Sequence, residues 1–204
     1  MSMAVFGGTF DPPHKGHTKL VSAVCSQLGL GRCLIIPTNI PPHKQQATGG
    51  ASAADRLAMA ALCDWGVPAQ VSDIELARTG KSYTYDTLVQ LRALYPGEKF
   101  YFLLGSDMLY YFKKWHRWQE LLGLATFCAA ARNAADRTGL QAFADELTAQ
   151  AGGEILLFDF PPVEISSSAL RQSLAAGAAV GAYLDPAVAS YINTHHLYRQ
   201  GASV

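Results

Sequence analysis

Cysteine is scarce in this 204-residue chain, and the few present form no pattern. Cys25, Cys33, Cys63 and Cys128 include no CxxC pair and follow no regular spacing, which argues for free thiols buried in apolar stretches rather than a disulfide framework. Free thiols suit a reducing cytoplasm, so a cytoplasmic protein is expected. Charge of one sign is equally lacking. Lys plus Arg and Asp plus Glu both number 16, so no basic excess points to nucleic acid. A balanced total still permits a local basic pocket for a small anion. Long apolar runs are missing too. None approaches the ~20 residues that span a bilayer, and Met1 leads straight into a strand-like segment without the basic start and apolar stretch of a signal peptide. The expectation is a chain with neither a membrane nor a nucleic-acid partner. Internal repeats and domain-sized linkers are absent. One domain over 1–204 is therefore predicted, with a small C-terminal helical part near 165–199.

What is present is alternation. Short apolar runs at 3–6, 33–36, 69–72, 99–104, 125–131 and 155–158 read as strands. Helical spacing occupies 15–28, 53–63, 84–94, 135–150, 167–176 and 186–194. Continuous apolar strands alternating with helices predict an α/β fold, a doubly wound parallel sheet with helices on both faces. Such sheets bind ligands beyond the carboxyl ends of their strands, near a topological switch point, which directs attention to the loops after each strand.

The loop after the first strand reads Gly7-Gly8-Thr9-Phe10-Asp11-Pro12-Pro13-His14-Lys15-Gly16-His17. Two glycines there let the backbone turn sharply and approach a ligand. Backbone N–H groups of the loop and of the next helix start are donors for phosphate oxygens, so Gly7, Gly8, Thr9 and Phe10 are candidate triphosphate contacts. His14 and His17 stand three apart at a helix start and can point the same way. Gly16 removes bulk where a phosphate needs room. Neither GxxxxGK[ST] nor GxGxxG is present in this loop. A plain turn with two surface histidines is the ordinary alternative, but two glycines, two prolines and two histidines within eleven residues make it a poor one. A zinc site is the other, and it lacks the further Cys, His or Glu ligands that zinc recruits.

A second constellation, Ile165-Ser166-Ser167-Ser168-Ala169-Leu170-Arg171, sets hydroxyls at a helix start with an arginine one turn on, a good anion site. Three middle stretches open helices or follow strands: 36–44, 82–88, and 105–109 followed by Trp115-His116-Arg117-Trp118. Lys44 is a candidate phosphate ligand. Thr84 and the nearby backbone, Tyr85 included, can receive a carboxylate at a helix start. Trp115 can stack on a flat ring, with His116 beside it. Asp107, after Gly105, can accept hydrogen bonds from a ribose. Alone, each has an ordinary reading as a turn, a capped helix or a core aromatic.

Together these motifs carry a resemblance. GGTFDPPHKGH resembles the signature of the HxGH nucleotidyltransferase superfamily, and ISSSALR resembles its second motif, ISSTxxR, with Ser168 for the usual Thr. The middle stretches are similar to those of bacterial nicotinate-nucleotide adenylyltransferases, and the likeness runs from Val5 to Arg199. The resemblance implies a Rossmann-like fold and adenylyl transfer from ATP to nicotinate mononucleotide. It implies that His14 and His17 stabilise the triphosphate while Ser167 and Arg171 hold its other side. It sets Gly105, Asp107, Ile165 and Ser166 with ATP, and Lys44, Thr84, Tyr85, Trp115 and His116 with the mononucleotide. Mg2+ is expected on the phosphates, with few protein ligands. The family often has Arg-Pro-Gly where this chain has Arg132-Asn133-Ala134, so Arg132 lacks the turn that aims it. The same chemistry on nicotinamide mononucleotide or phosphopantetheine, or a non-catalytic nucleotide-binding module, are the alternatives. The oligomeric state is left open, a homo-oligomer included.

Overall fold

A computed structural model describes residues 1–41, 49–131, 133–160, 163 and 165–199. Its frame is six strands: β1 (Ser2–Gly8), β2 (Cys33–Pro37), β3 (Ala69–Val71), β4 (Lys99–Gly105), β5 (Thr126–Ala131) and β6 (Ile155–Asp159). They form one sheet in the order β3-β2-β1-β4-β5-β6, and each neighbouring pair runs parallel. β2 and β5 are buried at every position, which is why their sequences are continuous apolar runs rather than alternations.

Alternate strand residues feed two cores. Val5, Leu34, Ile36, Phe102, Leu104 and Phe127 face one side, where Leu88 and Leu91 of α3 (Thr84–Leu94) and Leu140 and Leu147 of α6 (Ala134–Ala151) cover them. Ala4, Phe6, Cys33, Ile35, Leu103 and Cys128 face the other, covered by Val21, Val24 and Cys25 of α1 (Lys15–Leu28) and Ala60 of α2 (Ala53–Ala61). Each such Leu, Ile or Phe contributes roughly 1.5–3 kcal/mol by leaving water. A third, smaller cluster joins Met59 of α2 to Leu170 of α7 (Ser167–Ala175), Val188 and Ile192 of α8 (Pro186–Thr194), and Tyr198. This is the C-terminal helical part expected from the sequence, seated on the far side of α2.

The chain builds β1, β2 and β3 outward in one direction, then returns to lay β4, β5 and β6 in the other. The reversal leaves a crevice beyond the carboxyl ends of β1 and β4, at Gly8 and Gly105. Most expected boundaries stand within a residue or two. The exception is the stretch after β4, where α4 (Ser106–Tyr110), a 3₁₀ turn (Phe112–Lys114) and α5 (Trp118–Leu121) follow in quick succession. None is long enough for a helical period to show in sequence. Among the described residues, no helix is long and apolar enough to cross a membrane.

Candidate active site

A cavity of about 1010 Å³ occupies the crevice. One wall is the loop between β1 and α1, and here the structure corrects the reason for the glycines. Gly7 and Gly8 are still extended strand, and the left-handed turn comes at Phe10, with φ 51°. Phe10 then folds back over the strand, and a Cβ on Gly8 would lie 2.9 Å from its ring. Gly16 also has a protein reason to be bare, since a Cβ there would lie 3.0 Å from the His14 ring.

His14 caps α1 through its side chain. Its Nδ1 accepts the Gly16 N–H at 3.2 Å, while Nδ1 of His17 accepts the His14 N–H at 3.2 Å. A ring nitrogen that accepts carries no proton, so in each neutral imidazole the proton sits on Nε2. Burial pushes the His14 pKa down to about 4, and a hydrogen bond with its own backbone works against that. His14 is therefore a neutral Nε2–H donor at pH 7. The two rings stack at 3.7 Å and 21°, and Phe10 meets His17 edge-on at 5.2 Å. Both histidines line the cavity with Gly7, Gly8, Thr9 and Phe10.

The opposite lip is the start of α7. Ser166 caps it by accepting the Ala169 N–H at 3.1 Å. The Ser167 hydroxyl donates to the Pro12 carbonyl at 2.9 Å, and Arg171 Nη1 donates to the Asp11 carbonyl at 2.7 Å. A second Arg171 nitrogen donates to Ser168 Oγ at 3.3 Å. Ile165, Ser166, Ser167 and Arg171 all line the cavity. The two motifs, over 150 positions apart, thus touch directly, and their first shared bonds clamp the backbone of the first loop.

At the β4 end, Gly105 and Asp107 line the cavity, and a Cβ on Gly105 would lie 2.8 Å from Asp107 Oδ1. Thr84 opens α3 beside it, and no side chain caps that helix start. Trp115 lines the cavity and stacks one face on Phe112 at 5.2 Å, with its Nε1 buried and without a partner among the described residues. His116 also lines it, against the Tyr83 ring at 4.7 Å. Tyr85 does not. One helical step of ~100° carries it away from Thr84. Its ring lies under the Arg117 guanidinium at 3.9 Å, and its hydroxyl donates to Glu120 at 3.4 Å. Lys44 and Arg132 lie outside the described residues.

Sequence reasoning missed three polar residues of the walls, Arg56, Asp11 and Glu75, and Tyr198, which holds one of them. Arg56 is buried in α2, and its Nη1 donates at 2.7 Å to both the Thr9 and Thr38 carbonyls, tying the loops after β1 and β2 together. Desolvation lowers its pKa, and the nearby Asp11 charge works against that. The Asp11 carboxylate accepts the Tyr198 hydroxyl at 2.7 Å and the Ala51 N–H at 2.9 Å. Glu75 is buried in the cavity wall that Ser82, Tyr83 and Thr84 also line. A lone arginine in an amphipathic helix reads as solvated, and no local signal marks Tyr198.

The sequence profile of the cytidylyltransferase-like family matches residues 5–173. A relative from Oceanobacillus iheyensis, named "Probable nicotinate-nucleotide adenylyltransferase", is 37% identical over 98% of this chain and 97% of its own length. One of the same name from Pectobacterium atrosepticum is 40% identical over 96% of this chain and 98% of its own. The fold superposes on the Plasmodium falciparum nicotinic acid mononucleotide adenylyltransferase solved in complex with NaAD, with a TM-score of 0.75 over 97% of each chain. At 21% identity, that last likeness speaks for the fold.

Proposed function

The chain belongs to the nicotinate-nucleotide adenylyltransferases of the cytidylyltransferase-like family, and from that premise we propose how its residues share the work. It transfers the adenylyl group of ATP to nicotinate mononucleotide, giving nicotinate adenine dinucleotide and pyrophosphate. The observation that carries the residue assignments is the convergence of three separated segments on one cavity: His14 and His17, Ser167 and Arg171, and Thr84 with Trp115.

The 5′-phosphate oxygen of the mononucleotide forms a bond to the α-phosphorus of ATP. The bond from that phosphorus to its bridging oxygen breaks, and the electron pair leaves with pyrophosphate. An ionised phosphate needs no strong base, so the protein's part is positioning and charge stabilisation. His14 and His17 offer preformed Nε2–H donors whose bonds strengthen as charge builds on the leaving group. Gly7, Gly8, Thr9 and Phe10 bring backbone along the triphosphate. Ser167 and Arg171 hold that loop from across the cavity, and the guanidinium keeps further N–H donors for phosphate oxygens. Gly105 and Asp107 fit the ATP ribose, with Ile165 and Ser166 opposite.

At the acceptor end, the uncapped start of α3 at Thr84 suits the nicotinate carboxylate, and Trp115 and His116 suit its ring. Lys44 is proposed for the mononucleotide phosphate from the sequence alone. Magnesium enters as the complex of ATP. The ion is proposed to be carried on phosphate oxygens and water, with few protein ligands. Residues 1–204 act as one catalytic unit in this reading, supported by the Tyr198–Asp11 bond across 187 positions. The four free cysteines suit a cytoplasmic setting.

The test is the purified protein with ATP, magnesium and a panel of acceptors, scored by pyrophosphate release. Nicotinate mononucleotide is expected to be used best. Turnover only with phosphopantetheine would overturn the acceptor, and no release with any mononucleotide would overturn the chemistry.

A further inference from the structure

Glu75 lies between β3 and α3, is only 6% exposed, and contributes to the cavity wall beside Ser82, Tyr83 and Thr84. A buried carboxylate is costly unless its oxygens are served. Its Oε1 is served: the Thr87 hydroxyl donates to it at 2.7 Å, and Arg78 in turn donates to the Thr87 oxygen at 2.5 Å. Its Oε2 is buried with no hydrogen-bond partner among the described residues. Arg78 approaches Oε1 only to 3.9 Å. The Ser82 and Thr38 hydroxyls also face the carboxyl group.

These contacts meet at a junction. Asn39 N–H donates to Ser82 Oγ at 3.2 Å, which leaves the Ser82 hydroxyl proton available to turn toward Glu75. The Ser82 N–H donates to the Ile40 carbonyl at 2.9 Å, and Asn39 Nδ2 donates to the Arg78 carbonyl at 2.9 Å. Glu75 therefore sits where the segment after β2, the turn before α3 and the first turns of α3 come together. That turn aims the start of α3, whose N–H groups no side chain caps. A group bonded to Thr87 on the helix and faced by the Ser82 hydroxyl on the turn sets the angle between them.

We propose that Glu75 is the positioning residue of the acceptor end, bonded to Thr87 and turned toward Ser82 so that the α3 start faces the acceptor's carboxylate. The inference rests on the adenylyltransferase reading above and extends it to a residue to which that reading gives no substrate contact. A misaligned α3 start weakens the hold on the acceptor and leaves the ATP wall, built by other segments, intact. Glu75→Gln keeps the shape but puts an amide donor where Ser82 needs an acceptor. Thr87→Val removes the hydroxyl at constant volume, and Thr87→Ser restores it.

The experiment measures initial rates against nicotinate mononucleotide and against ATP for the wild type and these variants. Glu75→Gln and Thr87→Val should each raise the acceptor KM by about ten-fold or more while the ATP KM stays within about two-fold, the size of effect a displaced positioning element produces. Thr87→Ser should fall back to the wild-type acceptor KM. The double variant should be no worse than the poorer single one, because both act through one network. If Glu75→Gln does not fold, the contrast between Thr87→Val and Thr87→Ser carries the test. An unchanged acceptor KM, or equal rises in both KM values with a lowered Tm, would mark the network as merely structural and overturn the inference. A wild type that ignores nicotinate mononucleotide would overturn the functional reading itself and this inference with it.

Discussion

Tyr198 donates its hydroxyl to the Asp11 carboxylate at 2.7 Å and so bolts the end of the C-terminal helical part to the first cavity loop. Burial and the Asp11 charge push the Tyr198 pKa up, so the phenol keeps its proton across the working pH range. The same carboxylate accepts the Ala51 N–H at 2.9 Å and lies 3.7 Å from Arg171. Asp11 is thus the point at which the loop, the α2 approach and the C-terminal part share one charge.

Tyr198→Phe removes only the hydroxyl and leaves a buried carboxylate short of a donor. The expected cost is about 1–3 kcal/mol, read from urea unfolding. Because the loop that Asp11 anchors also carries His14 and His17, the ATP KM should rise while the acceptor KM holds. Unchanged stability would show that water replaces the phenol.

The sheet was legible because burial on both faces writes each strand as a continuous apolar run, as in β2 and β5. The loop with His14 and His17 was legible because its glycines, prolines and histidines are dense and local. Asp11 stood in that loop in plain view, yet its partner Tyr198 arrives from 187 positions away. Arg56 carries the same lesson. An arginine in a helix reads as solvated, and only the fold reveals two carbonyls at 2.7 Å. The sequence marked Gly8 and Gly16 for the room a ligand needs, and it could not show that a Cβ at either would also meet the Phe10 or His14 ring.

His17→Ala deletes one Nε2–H donor and one half of the reciprocal cap on α1. Turnover should fall by about 10²–10³-fold, the usual loss when a preformed charge-stabilising donor is removed. Stability should fall by only about 1 kcal/mol, the worth of a helix cap. Pyrophosphate release under single-turnover conditions checks the first, and thermal unfolding the second. Near-normal release would sink the charge-stabilising role.

His14 makes a signed prediction about pH. Its folded pKa of about 4 lies below the ordinary 6.5 because burial disfavours the imidazolium. Between those values, the unfolded chain binds the proton and the folded chain does not, so stability rises with pH. The His14 contribution is complete above pH 6.5 and is lost as pH falls toward 4, a change on the order of 3 kcal/mol. Wild type should therefore lose more stability between pH 7 and 4.5 than His14→Asn does. Parallel pH dependences in denaturant unfolding would refute the buried neutral imidazole.

Gly16→Ala isolates the His14 ring from every other variable. The new Cβ would lie 3.0 Å from Cε1 and Nδ1 of His14 and 3.7 Å from Ile165 Cγ2. The ring cannot simply retreat, because its Nδ1 holds the N–H of residue 16 itself. It must tilt, which redirects Nε2 and disturbs the stack with His17 at 3.7 Å. Ala in place of Gly within a helix gains up to about 1 kcal/mol, and a weakened cap loses a similar amount. The Tm should therefore stay nearly constant while kcat falls by about ten-fold or more, as misaimed donors no longer meet the leaving group. Gly31→Ala is the matched control: a Cβ there meets nothing within 4 Å, and activity should be unchanged. Equal kcat values for the two variants would mean that the orientation of His14 does not matter to the transfer.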